Sequence, residues 1–279
     1  MLRKAIPSAG HPLRMPFVWL LLAMMFITEF VKGSLLVSIL PLYMKTALGM
    51  TAFMIGLSFS LQYIGDNLFR SPLGWLIDKI GYRGSMLFGL ILAFLSVVML
   101  AFSERPLTAA AGCLLIGIGT SPLWPSVVTG VTEAAGERGK ASILSTVHIA
   151  WLAGTGTGPI LMNVLVQEDF ALPFFIVILL MGTAAVLAFF LPSRSSAPAA
   201  AAERGRRTEA KKSIVHALNR AVRYLREVKA SLHVSRWLFP AMFLQTFSLG
   251  LLTPVVTLYA RDVMGLSGLQ YSLFIVLCG

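Results

Sequence analysis

Apolar residues run through this chain in long blocks separated by short polar stretches. Seven blocks have about the length of a membrane crossing: Phe17–Leu42, Phe53–Leu73, Ser85–Phe102, Leu107–Val131, Ala141–Val166, Ala171–Leu191 and Trp237–Tyr259. An eighth opens near Leu269. A hydrocarbon layer of about 30 Å needs roughly 20 residues of helix, so each block predicts a membrane-spanning helix. The blocks lack two-residue alternation, which argues against a β-barrel. Arg3, Lys4 and Arg14 precede the first block as in a signal peptide. That block outruns an h-region and no small-residue cleavage site follows it, so it reads as a retained helix.

Composition agrees with the blocks. Of 279 residues, 57% are hydrophobic and 13% are charged, against about 25% charged in a soluble domain. An ordinary soluble domain and a disordered chain are excluded. The two cysteines, Cys113 and Cys278, lie in apolar runs and imply neither a disulfide framework nor a zinc site. The net charge of +11 acquires meaning when it is divided by side. With the N-terminus inside, 19 of the 23 Lys and Arg residues fall on the inner side. Lys45, Arg105 and Arg261 fall outside, and Lys32 lies within the first block. The positive-inside rule then places the N-terminus and residues 192–236 in the cytoplasm. The high charge reads as topology, with contact to the lipid bilayer, and no nucleic-acid partner is implied.

Residues 192–212 are rich in Pro, Ser, Ala and charge, the composition of a flexible linker. From 213 to 232, Ile214, Leu218, Ala221, Leu225, Val228 and Leu232 form a stripe at three- and four-residue spacing. This predicts an amphipathic helix on the inner membrane face, either a plain connector or a partner-binding element. Beyond the linker the sequence repeats. Leu42-Tyr43-Met44-Lys45 with Gly49-Met50-Thr51 aligns to Leu258-Tyr259-Ala260-Arg261 with Gly265-Leu266-Ser267 at an offset of 216. Two parallel six-helix repeats are a common organisation of secondary transporters. The expected fold class is therefore all-α and polytopic. It comprises a cytoplasmic N-terminus (1–16), a six-helix bundle (17–191), a basic linker (192–236) and the start of a second bundle (237–279). The same offset would end that second bundle at about residue 407, so the chain reads as one half and the beginning of another.

Between the second and third blocks stands Gly74-Trp-Leu-Ile-Asp78-Lys79-Ile-Gly81-Tyr-Arg83-Gly84. This resembles the signature loop of the major facilitator superfamily at Gly74, Asp78, Lys79, Gly81 and Arg83, with Tyr82 in a usually basic place. The resemblance implies two bundles rocking about a central cavity, with this loop latching the outward-open state. Gly154-x-x-x-Gly158-Pro159 resembles the family's antiporter motif. Met162 and Asn163 replace its glycine pair, and plain helix packing with a proline kink reads equally well from the residues. Gly117 and Gly119 fit a third pattern, in which Cys113 stands where the family usually has a proton-linked Arg.

Ionisable residues at membrane depth are costly and are functional candidates by default. Glu29 and Lys32 share one face of the first block, as a neutralised pair or as a cavity-lining proton site. Asp66 and Arg70 are spaced for an i,i+4 ion pair. His148, Trp124, Trp151 and Asn163 complete the candidate proton and substrate residues. No nucleotide motif or cofactor signature appears, and His11, His148, His216 and His233 are too dispersed for a catalytic or metal site. The expected activity is proton-coupled efflux of small amphipathic compounds by a protein monomeric at full length. Import of sugars or organic acids, or a non-transporting membrane protein, are the alternatives. If Asp78 is a latch, Asp78→Asn will slow conformational switching several-fold while ligand affinity stays within about twofold. Weaker binding at an unchanged transport rate would refute the latch.

Overall fold

The computed structural model describes residues 15–166, 169–191, 238–267 and 270–271. Within these, the side chains of 71–80, 82, 136–138, 238–239, 241–242 and 246 are outside the description. The basic linker with its expected amphipathic helix, the eighth block beyond Tyr271 and the side chains of Gly74, Asp78 and Lys79 therefore lie outside the described residues.

All regular structure among the described residues is helical. Helix α1 (Pro16–Gly33) starts on a proline, which loses no helical hydrogen bond in the first turn. It continues into a π-helical stretch, Ser34–Ile39, and then α2 (Leu40–Thr46), so the first block is one span with an altered middle. Helix α3 (Ala52–Ala101) is capped by Thr51, whose Oγ1 accepts from the Met54 N–H at 3.3 Å. The remaining helices are α4 (Pro106–Thr120), α5 (Leu123–Leu165), α6 (Ala171–Phe189) and α7 (Leu238–Asp262).

Two of these runs each contain two expected spans. Residues 74–84 and 132–140, which separate the expected spans, stay within helical runs apart from Gly81 at φ 77°, ψ 162°. That conformation is open to glycine. Both arms of α3 pack on α4: a Cβ at Gly117 would meet Gln62 and Asp66, and one at Gly119 would meet Gly89 and Ala93. Residues so far apart in sequence can share neighbours only if the run folds back at Gly81. Helix α5 must also reverse. The rings of Trp124 and His148 are 5.1 Å apart, where 24 residues of straight helix would separate them by about 36 Å. The fourth block, in turn, is broken at Ser121–Pro122, where α4 stops and α5 begins.

Five helical segments are long and apolar enough to cross a membrane: Pro16–Thr46, Arg83–Ala101, Pro106–Ala135, Ala171–Phe189 and Phe243–Asp262. The second and fifth expected spans, 53–73 and 141–166, are helical over their described residues but fall outside this set. Both carry polar residues along their length, and the next section shows what those residues face.

The first and fifth spans run side by side at backbone contact. A Cβ at Gly154 would lie 2.5 Å from the Phe26 carbonyl oxygen, and one at Gly158 would lie 2.4 Å from that of Phe30. Gly33 meets the Thr155 carbonyl oxygen at 2.7 Å in the same way. Ser38 Oγ donates to the Pro159 carbonyl at 3.2 Å across this seam. The seam is what small residues in membrane helices permit. Gly158→Leu will therefore force the spans apart and cost about 1–3 kcal/mol, read as a lowered Tm in detergent. Gly182→Ala, which meets only the Phe94 ring at 3.3 Å, will leave Tm nearly unchanged.

The repeat detected in sequence recurs in the backbone. In the first turn, Leu48 N–H bonds Tyr43 O and Met50 N–H bonds Met44 O. In the second, Met264 N–H bonds Tyr259 O and Leu266 N–H bonds Ala260 O, the same pairs shifted by 216. Gly49 and Gly265 take φ of 62° and 65°, so the glycines of the sequence match serve the same left-handed turn. Thr51 and Ser267 each cap the helix that follows.

Candidate functional site

A cavity of about 590 Å³ lies between the spans. Helix α1 contributes Glu29 and Lys32, and the π-helical stretch contributes Leu36 and Val37. Tyr63, Asp66, Asn67 and Arg70 come from the first arm of α3. Thr120 and Trp124 line it from the fourth span, and His148, Trp151 and Thr155 from the fifth. Helix α7 supplies Gln245, Leu249 and Thr253, four residues apart on one face. The charged residues of the second span and His148 of the fifth are thus part of the cavity wall.

At one side sits a chain of four charges. Lys32 Nζ lies 3.3 Å from Glu29 Oε1 and 3.6 Å from Asp66 Oδ2. Asp66 Oδ1 accepts from Arg70 Nη2 at 3.0 Å. The two local pairs were legible as i,i+3 and i,i+4 spacings. The Lys32–Asp66 contact was not, and it is the one that joins the first span to the second. Glu29 and Asp66 are each 8% exposed, whereas the Arg70 side chain is 43% exposed, so the chain of charges runs from buried to accessible. Two carboxylates and two cations leave it formally neutral, which is how buried charge is tolerated.

The cavity also has an aromatic corner. Trp124 meets His148 edge-on at 5.1 Å and Trp151 at 6.2 Å. His148 Nδ1 is 2.8 Å from the Leu144 carbonyl oxygen. A carbonyl only accepts, so Nδ1 carries a proton and Nε2 is the nitrogen left for other partners.

Asn163 stands apart from the other candidates. It does not line the cavity; its Oδ1 accepts from Arg261 Nη2 at 2.7 Å, linking the fifth span to α7. Lys45 of α2 forms an ion pair with Asp262, the residue after Arg261 on α7. Sequence reading also passed over Tyr63, which lines the cavity together with Thr253 of α7. Its one signal was a position one helical turn before Asp66. Among the described residues, no cluster of His, Cys, Asp and Glu has the size to hold a metal.

Comparison with known proteins agrees with this architecture. The Major Facilitator Superfamily model matches residues 18–279, and the chain belongs to that family. It is thus a multi-pass membrane protein of a transporter superfamily. It is 27% identical over 261 residues to the proton-coupled antiporter flippase LtaA of Staphylococcus haemolyticus (strain JCSC1435), covering 93% of this chain and 60% of that protein. Against the protein of the same name from Staphylococcus aureus (strain USA300), identity is 25% over 262 residues with the same coverage. The chain thus spans about 60% of the length of these relatives. Among solved structures, the nucleoside transporter NupG superposes with a TM-score of 0.63 at 16% identity, covering 94% of this chain and 64% of NupG. A peptide transporter POT in complex with sulfate gives 0.54 at 19% identity, over 88% of this chain and 53% of that one.

Removing the middle charge tests the network. Lys32→Met will leave two carboxylates facing each other and destabilise the protein, by less than the about 3–5 kcal/mol of a fully dry pair because Arg70 meets water. The double variant Lys32→Met/Asp66→Asn will recover most of that loss. Additive losses in a double-mutant cycle of thermal unfolding would show that the two residues do not interact.

Proposed function

We propose that the protein is a proton-coupled secondary transporter that exchanges protons for a small amphipathic molecule by alternating access. The observation that carries this is the Glu29–Lys32–Asp66–Arg70 chain of charges on the wall of a cavity that also has aromatic and apolar sides. The relatives named as proton-coupled antiporter flippases favour the same reading, and the word flippase favours a lipid-like cargo. The N-terminus and the basic linker lie on the cytoplasmic side of the cell membrane in this reading, as the distribution of Lys and Arg supports.

The chemistry of exchange follows from competition. Ionised Glu29 and Asp66 accept hydrogen bonds from a cationic or hydroxyl-bearing head group, while Trp124, Trp151, Leu36 and Val37 border its less polar part. A proton on either carboxylate removes an acceptor and weakens the hold on the cargo. By linkage, bound cargo weakens the hold on the proton to the same degree. Mutual exclusion on one pair of carboxylates is the thermodynamic core of antiport. The signature residues Gly74, Asp78, Lys79, Gly81 and Arg83 act in this scheme on the switch between states, outside the cavity.

The test is flux in proteoliposomes with an imposed pH gradient, using a panel of fluorescent amphipathic cations and short-chain fluorescent lipids. Gradient-dependent flux is expected for at least one class. Glu29→Gln or Asp66→Asn will lower the gradient-driven rate by tenfold or more, the scale of losing one acid–base group. No gradient-dependent flux for any probe would refute the proposal, and gradient-driven rates unchanged in both variants would refute the assignment of the proton site.

A further inference from the structure

The π-helical stretch Ser34–Ile39 occupies the middle of the first span; the proposed exchange uses its Leu36 and Val37 side chains as cavity wall but not its altered backbone. In this stretch a backbone N–H reaches five residues back, as Leu40 N–H does to Leu35 O. Such a stretch carries one more residue than the regular helix would need. It begins two residues after Lys32, and Gly33, Leu36 and Val37 line the cavity. It packs on α5, α6 and α7 and is pinned to α5 by Ser38 Oγ on Pro159 O. Beyond it, α2 runs directly to Lys45, whose ammonium pairs with Asp262 at the end of α7.

Pro41 biases the local register. In a regular helix the Pro41 ring would clash with the Val37 carbonyl four residues back. A wider turn relieves that clash, whereas the missing Pro41 N–H leaves one carbonyl without a donor in either form. If the stretch returns to regular helix with the same number of residues, everything beyond it turns by about 100° relative to Glu29 and Lys32. Lys45 then faces away from Asp262.

We infer that the Ser34–Ile39 stretch is a register switch: its π form holds Lys45 on Asp262 and closes this end of the bundle, and its regular form releases that contact. This rests on the alternating-access reading above. It adds a route by which the cavity wall and a contact at the end of the helix change together.

Two changes should move the equilibrium in opposite directions. Deleting Val37 removes the extra residue, so a regular helix keeps Lys45 towards Asp262 and this end stays closed. Pro41→Ala removes the ring clash from the regular form and favours opening, by about tenfold or more. The readout is the distance between spin labels at Thr46→Cys and Val263→Cys, both exposed positions, in a Cys113→Ser/Cys278→Ser background reconstituted in lipid. It is measured at acidic and at alkaline pH. The expected result is a short and a long distance exchanging with pH in the labelled protein, the short one alone after the deletion, and more of the long one after Pro41→Ala. Two pH-dependent distances that Pro41→Ala leaves unmoved overturn the switch, whether or not the deletion variant folds. So does a deletion variant that opens like its parent. A single distance at both pH values, in the parent and in Pro41→Ala, overturns alternating access itself and the switch with it.

Discussion

Lys32 stands between two carboxylates from different helices, and the placement of the first two spans depends on it. In a low-dielectric setting an unpaired charge is costly, so Glu29, Lys32, Asp66 and Arg70 must keep one another company. The local pairs could be satisfied by isolated helices. The Lys32–Asp66 contact at 3.6 Å cannot, since it exists only when α1 and the first arm of α3 present these residues to each other. A constraint of that kind fixes rotation as well as distance. It also keeps the polar faces of both spans turned inwards, away from lipid, and the cavity is what remains between them.

Glycine fixes the fifth-span wall of that cavity, beside the charges. Gly154 and Gly158 bring the fifth span onto the backbone of the first at Phe26 and Phe30, beside Glu29. Because backbone meets backbone, the fifth span cannot slide without losing this fit, and His148 and Trp151 are held a few residues away. The Gly-x-x-x-Gly-Pro run thus has a direct packing consequence whatever part it plays in exchange.

The sequence displayed what is local. Glu29–Lys32 and Asp66–Arg70 were visible as helical spacings, Gly81 as a position of the signature loop and the 216-residue offset as a repeat. Contacts that depend on how helices rotate against each other were not visible. Lys32–Asp66 and Asn163–Arg261 join residues whose mutual facing no single-helix pattern encodes. Asn163 was grouped with the cavity residues because it is polar within a span, yet polarity alone does not say which neighbour a face meets. Gln245 and Thr253 were missed for the opposite reason: they carry no charge, and α7 reads as apolar around them. The π-helical stretch leaves no compositional mark, since its extra residue is an apolar one among many.

The repeat explains why one end of the bundle can be held shut at all. Two turns with identical sequence would bring like groups together, Lys45 against its own counterpart at Arg261. The hydrogen-bond patterns of the two turns are the same, so backbone symmetry offers no relief. Relief comes from the one position where the two turns differ in charge: position 46 is Thr in the first turn, and its counterpart in the second is Asp262. That carboxylate gives Lys45 a partner across the repeat, while Arg261 is taken up by Asn163 of the fifth span. Conserved turn geometry sets the two ends side by side, and broken side-chain symmetry makes their contact attractive. Since the attraction lies in exposed or half-buried polar groups rather than in buried apolar area, it is weak enough to open and specific enough to close in one register.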